Sequence, residues 1–225
     1  MTATPAPPAA PSTNLWVGDE HAARYLETRG RIPHRLEGYQ VLMEMVPASA
    51  RRVLDLGTGD GCALAMVLDA HPAATGVGVD FNREMHARFH ERFAGDDRVE
   101  LVEHNLDEPL PASLGSFDLV VSSFAIHHCM PPRQRALYGE VFALLEPGGT
   151  FVNLEHVDSA TREQHLEFLA LLGTEPEDDD PSNQLVRVDV QLEWLRELGF
   201  EQVDNLWRWR ELALLHARKP VARNA

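Results

Sequence analysis

Residues Val53–Gly61, VLDLGTGDG, combine a short apolar run with three glycines at alternate positions. The apolar run is typical of a buried strand, and residues 62–70 have a helical pattern, so a strand, a tight turn and a helix start are predicted. Glycines in such a turn allow positive φ angles and let backbone N–H groups approach a ligand closely. The N-terminus of the helix adds unpaired donors and partial positive charge, which favours a polar or anionic nucleoside ligand.

A second apolar strand, residues 76–79, ends in Asp80, which lies 25 positions after Asp55. A carboxylate at the end of that strand can accept hydrogen bonds from both hydroxyls of a ribose. The glycines are spaced G-x-G-x-G, whereas the dinucleotide fingerprint is G-x-G-x-x-G. With these motifs, the chain from about residue 51 to about residue 219 resembles the class I S-adenosylmethionine (SAM)-dependent methyltransferases of the small-molecule type.

The order of the predicted elements favours an α/β fold. Strands are predicted at 51–56, 75–80, 99–103, 117–123 and 150–156, with helices at 60–71, 83–93 and 131–145 between them. Each βα step is long enough for a right-handed crossover. A helix at 188–198 and two strands within 200–218 follow. The resemblance implies a three-layer Rossmann-like sheet of seven strands, mostly parallel with an antiparallel last strand, and helices on both faces.

Three regions are expected to surround or interrupt the SAM-binding domain, which spans residues 49–219. Residues 1–13 are mostly Pro, Ala and Thr and predict a disordered tail. Residues 14–48 have two helical patterns and predict a cap over part of the site. The insertion at about 158–185 begins a helix with the capping-box form of residues 161–164, followed by an acidic loop, and is expected to act as a lid. The acids of that loop either select a cationic substrate or are simply solvated.

Composition limits the possible partners. The formal net charge is −15, from 35 acidic and 20 basic residues, which argues against a nucleic acid substrate. The two cysteines, Cys62 and Cys129, form no C-x-x-C pair, so neither a disulfide framework nor a metal site is expected. No apolar run approaches the roughly 20 residues that span a bilayer, and the first residues lack a signal-peptide pattern. We therefore expect a cytoplasmic monomer or homodimer without a membrane partner.

The resemblance implies that SAM is the cofactor and assigns residues to it. At the end of the third strand, Asn105 stands where the family usually has an acid, and its amide can still accept from the adenine amino group. Leu106 occupies the position beside the adenine ring. The residues assigned to the cofactor are Asp55, Gly57, Thr58, Gly59, Asp80, Phe81, Asn105, Leu106 and Ser123.

Four residues at strand ends are candidates for a catalytic base. His127 and His128 follow the fourth strand, in a segment that passes beside the sulfonium in the resembled family, and imidazole suits proton transfer at neutral pH. Glu155 and His156 end the fifth strand, where ligands bind in open α/β sheets. Packing at a helix start for the histidine pair, and capping or packing under a loop for Glu155 and His156, remain the alternatives.

Candidates for acceptor binding come from the cap and from the last pair of strands. Alternate residues of a strand point to opposite faces, so either the Trp pair or the Arg pair within residues 207–210 can face the site. Arg210, nearest the turn, is the candidate for binding a substrate anion. Core packing and helix capping are the alternative roles. The candidates are Tyr25, Arg31, His34, Arg35, Tyr39, Trp209 and Arg210.

The implied function is transfer of a methyl group from SAM to a small molecule by in-line displacement. The protein then needs only to hold the acceptor and remove its proton, because proximity supplies much of the rate. One alternative is non-methylating SAM chemistry, either cyclisation or carboxy-SAM synthesis, since residues 188–219 are similar in layout to carboxy-SAM synthases. Trp194, where such a synthase is expected to have an arginine, counts against it. A second alternative is a non-catalytic SAM-binding subunit, against which the intact glycine loop argues.

Overall fold

The computed structural model describes Gly30 and residues 32–221. The predictions for the tail at 1–13 and for most of the first half of the cap, including those for Tyr25 and Arg31, lie outside the described residues. In the part of the cap that is described, residues 35–45 form a helix. The proposed boundaries of tail, cap and lid stay predictions.

Helices and strands alternate along the chain. The strands are β1 (Arg52–Leu56), β2 (Thr75–Asp80), β3 (Val99–Glu103), β4 (Phe117–Ser123), β5 (Leu145–His156), β6 (Glu201–Trp209) and β7 (Leu212–Arg218). The helices are α1 (Arg35–Met45), α2 (Cys62–Ala70), α3 (Arg83–Arg92), α4 (Pro131–Leu144), α5 (Arg162–Leu172) and α6 (Val188–Glu197). Across residues 32–221, no helix combines the length and the apolar character needed to cross a lipid bilayer.

The strands form one seven-stranded sheet in the order β3-β2-β1-β4-β5-β7-β6. The neighbours from β3 to β5 are all parallel, whereas β7 runs antiparallel to both β5 and β6. The predicted sheet, mostly parallel with an antiparallel last strand, is therefore confirmed. Strand order reverses direction at β1 and β4, and in open α/β sheets a ligand binds at the carboxyl ends of the strands at such a switch point.

Two apolar cores cover the two faces of the sheet. In β1, Val53 belongs to one core and Leu54 to the other, as the period-2 alternation of a strand requires. The first core also contains Leu42 of α1 and Leu64 of α2, and the second contains Leu137 of α4. All of these side chains are at most 1% exposed, so the central strands are covered by helices on both faces, as predicted.

One strand boundary differs from the sequence prediction. Strand β5 begins at Leu145 and not at Thr150, because the Pro-Gly-Gly segment is held in the sheet. The N–H of Gly148 donates to the carbonyl of Lys219 at 3.0 Å. The N–H of Lys219 donates to the carbonyl of Gly149 at 2.9 Å. The pairing with β4 shifts register between Phe117 and Leu119, so the turn residues continue the strand as an irregular extension.

Gly57 lies where the loops after β1 and β4 touch. Its φ is +64°, in the left-handed region that favours glycine, and a Cβ atom there would overlap the Cβ of Ala125. Two requirements therefore select glycine at this position, backbone conformation and close approach. They bring the loop after β1 directly against the segment that follows β4.

Replacing Gly57 with alanine tests this contact. We expect Gly57→Ala to lower the free energy of unfolding by about 2 to 4 kcal/mol, because left-handed strain adds to steric overlap. The matched control is Gly95→Ala, since Gly95 has a φ of +81° and no heavy atom within 4 Å of the added Cβ. Strain alone predicts a loss of about 1 kcal/mol in the control. Equal losses in urea denaturation would show that the contact with Ala125 is unimportant.

Candidate active site

A cavity opens at the carboxyl ends of the central strands. The glycine loop after β1, the ends of β2 and β3, the segment after β4 and helix α1 form its walls. Eight of the nine residues assigned to the cofactor line it, namely Gly57, Thr58, Gly59, Asp80, Phe81, Asn105, Leu106 and Ser123.

Asp55, the ninth residue, lies beneath the glycine loop and is 1% exposed. Its Oδ2 accepts a hydrogen bond of 2.7 Å from the hydroxyl of Thr58. Burial raises the pKa of Asp55 to about 7, although the bond from Thr58 opposes this shift. The side chain of Asp55 therefore holds the loop in place from below through Thr58, which itself lines the cavity.

The carboxylate of Asp80 is held in a fixed orientation at the end of β2. Its Oδ2 accepts from the backbone N–H of Gly59 at 2.9 Å, and its Oδ1 accepts from that of Asn82 at 2.8 Å. Burial raises the pKa of Asp80, and these two hydrogen bonds oppose the rise. Each oxygen keeps a second lone pair for a ligand, which suits the adjacent hydroxyls of a ribose.

The loop after β3 forms the wall assigned to the adenine. The Oδ1 of Asn105 accepts from the backbone N–H of Asp107 at 3.0 Å, so the amide oxygen already orders its own turn. The carbonyl of Leu106 accepts from Arg133 at 2.7 Å, which fixes this loop against α4. The proposed bond from Asn105 to the adenine amino group would use the second lone pair of the same oxygen.

His127 and Glu155 form a closed pair behind the cavity. The Nδ1 of His127 lies 2.5 Å from Oε1 of Glu155, and the two residues are 5% and 1% exposed. Glu155 also accepts from the backbone N–H of His156 at 2.9 Å. Burial raises the pKa of Glu155 to about 7 and lowers that of His127 well below its usual value, so burial disfavours the charged form of both groups. Neither side chain lines the cavity.

His156 is held by a second buried carboxylate, Glu211, in the connection between β6 and β7. Its Nε2 lies 3.0 Å from Oε2 of Glu211, whose Oε1 accepts from Ser159 at 2.5 Å and lies 3.0 Å from Nδ1 of His165. Burial favours a higher pKa for Glu211, but the hydrogen bonds from His156 and Ser159 outweigh it and lower the pKa. This cluster ties β5 and β7 to the lid helix α5.

His128 is the one residue of the four candidate bases that lines the cavity. Its ring centroid lies 4.0 Å from that of His127, and its Nδ1 lies 3.1 Å from Oγ of Ser182. Burial lowers the pKa of His128 well below its usual value, and the proximity of His127 lowers it further. The imidazole is therefore neutral at pH 7 and able to accept a proton.

Helix α1 closes the cavity beside the end of β4. The hydroxyls of Tyr39 and Ser123 are 2.7 Å apart, and Arg35 donates to the hydroxyl of Tyr39 at 3.2 Å. The guanidinium of Arg35 also lies 4.5 Å from the centre of the Phe124 ring. Tyr39 and Arg35 thus both line the cavity, as acceptor-binding residues should. Phe124 has a φ of +53°, a strained conformation for a large side chain at the cavity wall.

The other described acceptor candidates lie outside the cavity wall. His34 stacks on Trp209 with ring centroids 4.6 Å apart, and Trp209 packs edge-on against Phe168 of α5 at 5.9 Å. Arg210 lies 3.2 Å from Glu167 of the same helix. The strand alternation therefore turns the Trp pair toward the core, and these residues join the cap, the lid and β6.

Several cavity residues were not assigned a role from the sequence. Asn82 caps α3 by accepting from the N–H of Met85 at 3.1 Å, and an Asn before a helical pattern is a recognisable signal for that role. Asp60 forms an ion pair of 2.7 Å with Arg92, which is distant in sequence and leaves no local signal. The unassigned lining residues are Asp60, Cys62, Ala63, Asn82, Met85, His104, Phe124, Ala125 and Cys129.

Comparison with known proteins finds similarity to methyltransferases. A family described as a methyltransferase domain matches residues 53–149. The chain is 37% identical over 162 residues to 24-methylenesterol C-methyltransferase 2 of Oryza sativa subsp. japonica, a match that covers 69% of this chain but only 42% of that protein. It is 29% identical over 230 residues to a demethylmenaquinone methyltransferase of Clavibacter sepedonicus, covering 95% of this chain and 86% of that one.

Solved structures share the same architecture. An O-methyltransferase family protein from Burkholderia thailandensis superposes with a TM-score of 0.71 at 22% identity, covering 92% of this chain and 62% of that one. Human N-acetylserotonin methyltransferase in complex with SAM superposes with a TM-score of 0.62 at 18% identity, covering 91% and 60%. These likenesses establish the fold of the chain.

The fold and the site together define a SAM-binding α/β protein. The glycine loop presents backbone in place of side chains to the cavity, and the carboxylate of Asp80 at its wall is oriented for a ribose. These residues fit the cofactor. Residues 53–149 match a methyltransferase domain, the fold around them is that of class I SAM-dependent methyltransferases, and SAM is the cofactor.

Substitution of Asp80 tests its assignment to the ribose. We expect Asp80→Ala to raise the Kd for S-adenosylhomocysteine by about 100-fold, because the ligand hydroxyls lose a charged acceptor in a buried site. Asp97→Ala, which removes an equal charge from an exposed turn, serves as the control. Isothermal titration calorimetry gives both affinities, and circular dichroism checks the fold. An unchanged affinity in Asp80→Ala would contradict the assignment.

Proposed function

We propose that this protein transfers a methyl group from SAM to a small-molecule acceptor in the cavity, and that His128 takes the proton of the acceptor. The observation that carries the proposal is that His128 shares one cavity with Asp80 and the glycine loop. The other candidate bases are engaged in buried pairs behind the cavity wall. The cofactor and a base thus meet in the space where an acceptor has to lie.

Size and charge support a small acceptor. The acceptor has to enter a cavity walled by the glycine loop, the strand ends and α1, which suits a compact molecule and not a folded macromolecule. The net charge of −15 opposes approach of a nucleic acid. The relatives compared above are named as methyltransferases of a methylenesterol and of demethylmenaquinone, which are small molecules. We infer the same class of acceptor here.

Two kinds of residue are needed in the proposed reaction, those that hold the acceptor and one that removes its proton. When SAM is bound, it supplies a methyl group on an electrophilic sulfonium; the acceptor gains that methyl, and the electron pair of the broken bond stays on sulfur. Tyr39 and Arg35 hold the acceptor at the wall formed by α1. His128 accepts the proton that an acceptor hydroxyl or acidic carbon loses, so its charge rises from neutral to positive. Proximity supplies the remaining rate.

The buried pair of His127 and Glu155 supports the base by position. The two imidazoles of His127 and His128 are packed with their centroids 4.0 Å apart, and His127 is fixed by Glu155 through its side chain and its backbone N–H. A rigid neighbour restricts the rotation of His128. Since His127 is itself close to neutral, it does not repel the positive charge that His128 acquires.

Transfer of a labelled methyl group tests the proposal. The purified protein is incubated with SAM labelled in its methyl group and, separately, with the small-molecule and macromolecular fractions of a cell extract. We expect S-adenosylhomocysteine and one small molecule that gains one labelled methyl. Label in protein or RNA would contradict the proposed acceptor class. A carboxylated SAM, or a product without the methyl, would identify non-methylating chemistry, and no turnover at all would favour a SAM-binding subunit.

Removal of the proposed base has a specific expected effect. We expect His128→Gln to lower kcat by about 100-fold or more and to leave the Kd for S-adenosylhomocysteine within about twofold, because general-base catalysis contributes about 10² to 10⁴ in rate. His90→Gln, an exposed histidine on α3, is the control and should retain full activity. Steady-state kinetics with the acceptor identified above gives kcat. Full activity in His128→Gln would refute the assignment of the base.

A further inference from the structure

The end of the predicted lid insertion is hydrogen-bonded to the turn that carries His127 and His128. The backbone N–H of Gln184 donates to the carbonyl of His127 at 2.8 Å. The amide of Gln134 on α4 donates both to the carbonyl of Cys129 at 2.8 Å and to that of Gln184 at 2.7 Å. Ser182 between these contacts is 1% exposed. The segment at 180–184 is therefore part of the site and not a loose cover.

The hydrogen bonds of Ser182 have a defined direction. Its hydroxyl donates to Oδ1 of Asp180 at 2.7 Å, and the same oxygen also accepts from the backbone N–H of Ser182 at 2.8 Å. A serine hydroxyl has one hydrogen. Since that hydrogen points to Asp180, the Oγ of Ser182 can only accept at Nδ1 of His128, 3.1 Å away. The hydrogen of the neutral imidazole is then on Nδ1.

We propose that Ser182 and Asp180 are positioning residues that hold His128 in the Nδ1–H tautomer, so that Nε2 is the atom that accepts the proton of the acceptor. The role of Nε2 in catalysis rests on the proposed function, whereas the Nδ1–H tautomer does not depend on it. In a neutral imidazole the nitrogen opposite the N–H is the basic one. The chain Asp180–Ser182–His128 thus fixes both the ring orientation and the basic atom.

Charges around His128 agree with this arrangement. Burial and the neighbouring His127 and His156 lower the pKa of His128, whereas the charge of Asp180 and a hydrogen bond that the imidazole donates to the backbone of Ser182 raise it. The loop therefore opposes the loss of basicity that burial imposes. Removing the charge of Asp180 should lower the pKa of His128 further and weaken the base.

We call the hydrogen-bonded series Asp180–Ser182–His128 the relay. Its first two residues lie outside the part of the protein that matches the methyltransferase family. That match ends at residue 149, and the contact between Ser182 and His128 joins residues 54 positions apart. The cofactor loop and the base thus lie in the shared domain, while the group that orients the base lies in the insertion. We infer that the insertion completes the catalytic site as well as covering it.

Nuclear magnetic resonance of the histidine side chains tests the tautomer without any acceptor. Long-range ¹H–¹⁵N spectra of protein labelled in histidine distinguish Nδ1–H from Nε2–H, and the signal lost in His128→Gln assigns the residue. We expect Nδ1–H in the native protein and in Asp178→Asn, which changes an exposed acid of the same loop. In Ser182→Ala and Asp180→Asn, we expect a shift toward Nε2–H. Native protein with Nε2–H on His128 would overturn the relay.

Kinetics with the identified acceptor separates a positioning role from a structural one. We expect Ser182→Ala and Asp180→Asn to lower kcat about tenfold or more, as for other residues that orient a catalytic histidine, with KM and the Kd for S-adenosylhomocysteine nearly unchanged. The base has to be neutral, so activity falls as pH drops through the pKa of His128. A lower pKa in Asp180→Asn moves this acidic limb to lower pH, and Asp178→Asn leaves it in place.

The outcomes distinguish the two proposals. If native protein turns over its acceptor and the Asp180→Asn and Ser182→Ala variants keep native kcat and pH profile, the relay is wrong and the proposed function stands. If the tautomer changes as expected but no native turnover is found with any small-molecule fraction, the relay stands and the proposed function is wrong. A loss of kcat that Asp178→Asn reproduces would also overturn the relay.

Discussion

The close approach of Gly57 to Ala125 is the constraint on which the site depends. It brings the loop after β1 against the segment after β4, and the hydroxyl of Ser122 reinforces it by donating to the carbonyl of Leu56 at 2.8 Å. The first loop forms the cofactor wall and the second carries His128. Because both are fixed on neighbouring central strands, this contact sets the distance between the cofactor wall and the backbone of His128.

Two buried carboxylates at the open end of the sheet behave in opposite ways. Burial raises the pKa of Glu155 to about 7, and its carboxylate is hydrogen-bonded to His127, so burial disfavours its charge. Glu211 keeps its charge because His156, Ser159 and His165 surround it. The first cluster packs against His128, and the second anchors helix α5. A carboxylate left without these partners would be costly to bury.

The sequence predicted what local patterns encode. The glycine spacing and Asp80 predicted the cofactor wall, and element order predicted the sheet, because these depend on neighbours along the chain. The sequence could not show that His128 alone of the four candidate bases lines the cavity, since burial of Glu155 and the partner of His156 are set by contacts between distant strands. Ser182 had no signal at all. Strand alternation left the Trp and Arg pairs of β6 undecided until the packing of Phe168 against Trp209 became known.

The most direct measurement is a crystal structure of the complex with S-adenosylhomocysteine. The account predicts ribose hydroxyls on the carboxylate of Asp80, adenine against Leu106, and Nε2 of His128 closer to the sulfur than any atom of Glu155 or His156. A nucleoside bound away from Asp80, or an imidazole of His128 turned from the sulfur while Glu155 or His156 faces it, would contradict the account.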